Sequence, residues 1–170
     1  DSIAERHEPA GLAAVDLDRT LFGAGRRGHV RIDAPCEIEH PSARRAHAQL
    51  TTPGAAKWYR SAGAVARSDT MLRIRAGAFV EWLPQEAMLF DGARATIRLG
   101  VELAEDARFI GWDMTQLGRT ASGERFASGR VQQTLELFRG DAMLWCERAV
   151  LDGGSRALQA GAILDGAPVF

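Results

Sequence analysis

Apolar and polar positions alternate from about Ala95 onward. Ile97, Leu99, Val101 and Leu103 are separated by Arg98, Gly100 and Glu102, the period-two signature of a half-buried strand. The segment AEDAR then turns the chain and FIGWDM opens a second strand. The earlier MLRIRAGAFVEWL has the same layout, with RAGA in the turn position. RVQQTLELF-RGDA-MLWCERAVL repeats it once more, with a hairpin-like turn at Gly140-Asp141. Trp82, Trp112 and Trp145 fall at similar points of the three units, a recurrence at roughly thirty residues that predicts stacked strand pairs. After residue 50 the i, i+3, i+4, i+7 spacing of an amphipathic helix is never sustained. The pattern predicts an all-β, helix-poor fold: a winding two-sheet, β-helix-like or solenoid-like body with antiparallel strand pairs. GRTASGERFASG, residues 118–129, reads as a loop.

Composition narrows the function classes. The chain has 170 residues, 46% apolar and 25% charged, enough for one sizeable globular domain. A formal charge of -1 removes the basic surface expected of a nucleic-acid or membrane partner. Of the 21 basic residues only Lys57 is a lysine, so the surface is rich in guanidinium forks suited to carboxylates. Cys36 and Cys146 are too few for a disulfide framework and have no finger spacing, which fits a reducing, cytoplasmic setting. No apolar run approaches the ~20 residues of a membrane span.

Several groups could carry chemistry. In FVEWLPQEAMLFDG, residues 79–92, the carboxylates Glu81, Glu86 and Asp91 stand on either side of a Trp-Leu-Pro corner. They could form a metal site, an acid/base pair or the wet side of a sheet. An acid/base pair is disfavoured because no nucleophile, histidine or phosphate loop lies nearby to complete an active site. If Val80 and Trp82 face the core, Glu81 points the other way. Asp113, beside Trp112, must find a partner or line a wet cavity, and Arg119 and Arg125 are the nearest candidates in sequence. In TTPGAAKWYRS, Lys57, Trp58, Tyr59 and Arg60 offer the mix of aromatics and cations enriched at protein interfaces, although core burial is the commoner fate of a Trp in a β protein. His7, His29, His40 and His47 lack metal-binding spacing and read as scattered surface residues.

Two family resemblances follow from these words. GLAAVDLDRTLFG, residues 11–23, resembles the first motif of the haloacid dehalogenase-like phosphatases. That resemblance implies a nucleophile at Asp16, an acid/base at Asp18 and Mg²⁺ between them. TTPGAAKWYRS, EWLPQEAMLFDGA, ARFIGWDMTQLGR, SGERF and ELFRGDAMLWCERAVLDGG, in that order, resemble the urease accessory protein UreD (UreH) family over residues 49–154. The longer match is preferred, and the phosphatase is kept as the alternative.

The UreD resemblance implies a non-enzymatic scaffold that binds apo-urease subunits and a UreF-like accessory protein, reaches a UreG-like GTPase through the latter, and helps deliver nickel. It implies no tightly bound cofactor, only a transient nickel ion. Carboxylates hold Ni²⁺ less tightly than imidazole and release it sooner. Glu86, Asp113 and Glu124 are therefore the nickel-route candidates, and Lys57, Trp58, Tyr59, Arg60 and Arg119 the partner-binding ones. Residues 1–48 read as an atypical N-terminal segment with room for the first strands, and residues 49–170 as a UreD-like β domain that the family continues beyond Phe170.

Overall fold

The structure, a computed structural model, describes residues 47–159 together with the short strand Ala13–Asp16 and residue 167. Eleven strands follow in order: β1 (Ala13–Asp16), β2 (His47–Thr51), β3 (Ala56–Trp58), β4 (Ala66–Ile74), β5 (Phe79–Trp82), β6 (Ala87–Leu89), β7 (Arg94–Leu103), β8 (Arg108–Gly111), β9 (Thr115–Leu117), β10 (Arg130–Arg139) and β11 (Ala142–Asp152). The only helical segments among the described residues are 3₁₀ turns at Thr120–Ser122 and Arg156–Gln159. The fold is all-β and helix-poor.

The strands form three sheets, ordered β1-β2-β5-β8, β3-β6-β9 and β11-β10-β7-β4. From β2 to β10 the chain visits these sheets in rotation, and each strand lies parallel to the one laid down a winding earlier. His47 pairs with Phe79, Ala56 with Ala87 and Ala66 with Ala95. Among the described strands only β10 and β11 pair antiparallel, through a tight turn at Gly140.

Two expectations are corrected here. There are three sheets rather than two, and the pairing is mostly parallel. Of the three anticipated hairpins only the one at Gly140-Asp141 forms. RAGA and AEDAR are corners that carry the chain from the third sheet to the first, where β5 and β8 pair with each other. A corner and a hairpin flank their turns with the same period-two pattern, so alternation does not distinguish them. Asp106 fixes the first corner by accepting from the Gly77 amide at 2.7 Å, winding upon winding. The strand-helix alternation of the phosphatase reading does not occur among the described residues. Asp16 ends β1 opposite Thr51, and Asp18 lies outside those residues.

Burial follows the alternation. In β7, Ala95, Leu99, Val101 and Leu103 are buried while Arg94, Arg98 and Glu102 are exposed. Two apolar clusters result. One gathers Leu50, Leu72, Val80, Trp82, Val101 and Leu103, and the other Trp58, Leu89, Leu117, Phe126, Val131 and Leu151. Burying each large aliphatic side chain is worth about 1.5–3 kcal/mol. Thr115 is the one buried polar residue among those described, and its hydroxyl accepts a 2.8 Å bond from the amide of Gln133. The tryptophans part company: Trp82 is core, whereas Trp112 and Trp145 are exposed.

Candidate functional site

The second sheet places its strand ends in line. Trp58, Leu89 and Leu117 stack in register, so the residues two positions further on, Arg60, Asp91 and Arg119, come side by side from three successive windings. There Tyr59, Arg60, Phe90, Asp91, Arg119 and Glu124 line an open pocket of about 440 Å³. Its walls are aromatic: Tyr59 meets Phe90 edge-on with ring centroids 4.9 Å apart, and the Arg119 guanidinium lies 4.6 Å over the Phe90 ring.

The carboxylates in this pocket are fully engaged. Arg60 donates through Nη2 to Asp91 Oδ2 at 2.5 Å, while Asp91 Oδ1 accepts from the amide and the hydroxyl of Ser128 at 2.7 and 3.0 Å. Glu124 accepts from the Asp91 amide at 2.7 Å through Oε1, and from Arg119 Nε through Oε2. Burial raises the Asp91 carboxyl, but Ser128 and Arg60 outweigh it and hold it below the usual aspartate value. The Asp91 amide and then Arg119 hold Glu124 low in the same way.

Two glycines make the arrangement possible. Gly92 has φ +76°, and a Cβ there would sit 3.0 Å from Cγ of Arg60. Gly118 has φ +79°, and a Cβ there would sit 2.5 Å from the Glu124 carbonyl oxygen. Both backbones are left-handed, and both lie where another segment crosses closely.

The pocket unites five of the residues singled out from sequence, namely Tyr59, Arg60, Asp91, Arg119 and Glu124. Lys57 is exposed on β3 and does not line it. Trp58 is 3% exposed in the second cluster, so it belongs to the core and not to the surface. Glu86 is half-buried at the corner before β6, where its carbonyl accepts from the Ala56 amide at 3.0 Å.

Asp113 pairs with neither Arg119 nor Arg125. It accepts a 3.2 Å bond from the Trp82 indole, and the protein crowding its carboxylate pushes its pKa up against that bond. Glu81 is not simply an exposed strand carboxylate: it meets His47 at 2.8 Å, and His47 stacks on Phe79 at 4.8 Å. Phe90 and Ser128 were not anticipated. Aligning Arg60 with Asp91, 31 residues on, would have exposed the pocket, but that requires parallel register.

Among the described residues no group of three or more His, Cys, Asp or Glu side chains could hold a metal ion. No helix among them is long and apolar enough to cross a membrane.

The family described as UreD urease accessory protein matches residues 36–170. The chain is 44% identical over 163 residues to the urease accessory protein UreD of Dechloromonas aromatica, covering 96% of this chain and 50% of that protein. The corresponding protein of Nitrosococcus oceani is 47% identical over 163 residues, with 96% and 49% covered. That of Pseudomonas aeruginosa is 51% identical over 126 residues, with 74% and 45% covered. The chain spans about half the length of these curated relatives. The match runs from ahead of β2 through all three windings and the pocket, and the chain therefore belongs to the UreD urease accessory protein family.

Proposed function

We propose that the protein acts in urease maturation, as a non-enzymatic scaffold that binds apo-urease and helps deliver nickel to its active site. The observation that carries this reading is the family match, which spans every described winding from β2 onward. Its other partners are a UreF-like accessory protein and, through it, a UreG-like GTPase, and its place is the cytoplasm. The three-sheet winding is read as a solenoid-like body whose surface loops serve the partners.

Nickel is cargo in this scheme. A conduit needs ligands that let go, which favours carboxylates and water over imidazole clusters. Glu124 is a poor candidate, because both its oxygens are engaged by Asp91 and Arg119. Glu86 and Asp113 remain the carboxylates for passing the ion along, and the pocket at Arg60 and Arg119 remains for partner contact.

Co-expression of the protein with its host's urease subunits and UreF-like protein tests this directly. Capture through a tag should bring down both, with nickel content and urease activity rising together. A folded protein that associates with neither removes the scaffold reading. Full association with unchanged nickel loading in Glu86→Ala and Asp113→Ala removes the assigned route only.

A further inference from the structure

The pocket at the second sheet is unbalanced in hydrogen-bonding capacity. Its two carboxylates accept from Ser128, Arg60, Arg119 and the Asp91 amide, so their lone pairs are largely used. Each guanidinium has five N–H donors. Yet in the hydrogen bonds described Arg60 donates only through Nη2 and Arg119 only through Nε. The side chains of Arg60 and Arg119 are 68% and 46% exposed, so both stay open to a partner. The formal charges cancel, but the face presented to solvent is rich in donors and poor in acceptors.

The geometry of the two forks is fixed beforehand. Asp91 clamps Arg60 over the left-handed Gly92, and Arg119 is held between Glu124 and the Phe90 ring. Little side-chain entropy remains to be lost when a ligand arrives, which is the condition under which exposed arginines become strong contacts. Tyr59 and Phe90 supply apolar walls that would exclude water from an ion pair formed there.

We propose that this pocket is a socket for an aspartate or glutamate side chain of a partner protein, received between the Arg60 and Arg119 guanidinium forks. The inference rests on the scaffold reading above and names the chemistry of its partner contact. A carboxylate fits for three reasons. It is acceptor-only, it matches a guanidinium bidentately, and the resident acids would repel it little because Arg60 and Arg119 already neutralise them. A basic or apolar side chain would leave the unused donors unmet.

The test uses the protein co-expressed with its host's urease subunits and UreF-like protein. Binding to each is measured by interferometry on wild type, Arg60→Ala/Arg119→Ala, Arg60→Lys and Arg119→Lys, with circular dichroism as the check on folding. The alanine pair should weaken one partner at least ~10-fold, and each lysine should weaken it by less, because a point charge replaces a fork. A photo-reactive benzoylphenylalanine in place of Tyr59 should cross-link to a partner segment containing Asp or Glu. Replacing that acid by Ala should weaken wild type but not the alanine pair.

Unchanged binding of the folded alanine pair, with wild type still associating, overturns the socket and leaves the scaffold standing. So does a cross-linked segment without an acidic residue, or relief of binding by free glutarate with no partner acid involved. If the alanine pair does not fold, undiminished binding by both lysine variants overturns the socket instead. Failure of wild type to bind any of these subunits overturns the scaffold reading itself.

Discussion

Arg60 and Asp91 are 31 residues apart in the chain and 2.5 Å apart at their side chains. Through Ser128 the same carboxylate reaches a third winding. Asp91 is thus a tie between windings, whereas Arg60 is an exposed arm of that tie. Asp91→Ala should destabilise the protein by about 1–3 kcal/mol, since Ser128 and the bound arginine lose their acceptor together. Arg60→Ala should cost less than about 1 kcal/mol, as exposed ion pairs do. Urea denaturation of the two variants side by side measures the difference.

Acid should loosen the same corner. Asp91 and Glu124 sit below their ordinary values of 3.8 and 4.5 when folded. A carboxyl with a depressed folded pKa contributes stability that is complete above its unfolded pKa and is lost as pH falls towards the folded one. Stability should therefore decline as the pH drops below that pair of values. In Asp91→Asn/Glu124→Gln the decline should be shallower, because neither group then titrates. A series of thermal melts across the acid range shows the slope of each.

Asp113 runs in the opposite sense. Crowding raises its folded pKa despite the Trp82 indole, so the folded state binds its proton more readily than the unfolded chain and stability falls as pH rises through that window. Asp113→Asn keeps an acceptor for Trp82 and removes the crowded charge. It should leave stability unchanged or higher at neutral pH and abolish this part of the pH dependence. A melting point of Asp113→Asn well below wild type at neutral pH would show that the charge itself is wanted there.

The two pocket glycines should not be equally costly to replace. Both have positive φ, a strain of roughly 1–2 kcal/mol for a side chain. At Gly92 the new Cβ meets side-chain atoms of Arg60, which can give way by loosening the Asp91 clamp. At Gly118 it meets the Glu124 backbone at 2.5 Å, which cannot move without shifting the 118–129 loop. Gly118→Ala should be clearly more destabilising than Gly92→Ala in the same denaturation assay, and it should weaken the partner contact as well.

Much of this could be read from residue order. The alternation of Ile97 to Leu103 identified β7, and the Gly140-Asp141 pair identified the hairpin. The words around Trp58, Trp82 and Phe126 identified the family. What alternation does not carry is the direction of a neighbouring strand. Period two places Leu99 and Val101 on one face whether β8 doubles back beside β7 or leaves for another sheet. Only the register brings Arg60, Asp91 and Arg119 together, and register is a property of pairs of windings. Trp58 illustrates the same gap: its neighbours Lys57 and Tyr59 are exposed, but alternation turns the indole inward onto Leu89 and Leu117. Asp113 and His47 found partners, Trp82 and Glu81, that lie a whole winding away.

From β2 to β10 the parallel strands pair only with those of adjacent windings. During synthesis the earlier winding is therefore already outside the ribosome when the next one emerges, and it offers finished strand edges as a template. Such a body can add its strands in the order in which they are translated, while the second apolar cluster is completed only when Phe126, Val131 and Leu151 arrive. The same logic makes errors directional: a winding that fails to form deprives every later one of its edge, while those already laid down keep theirs.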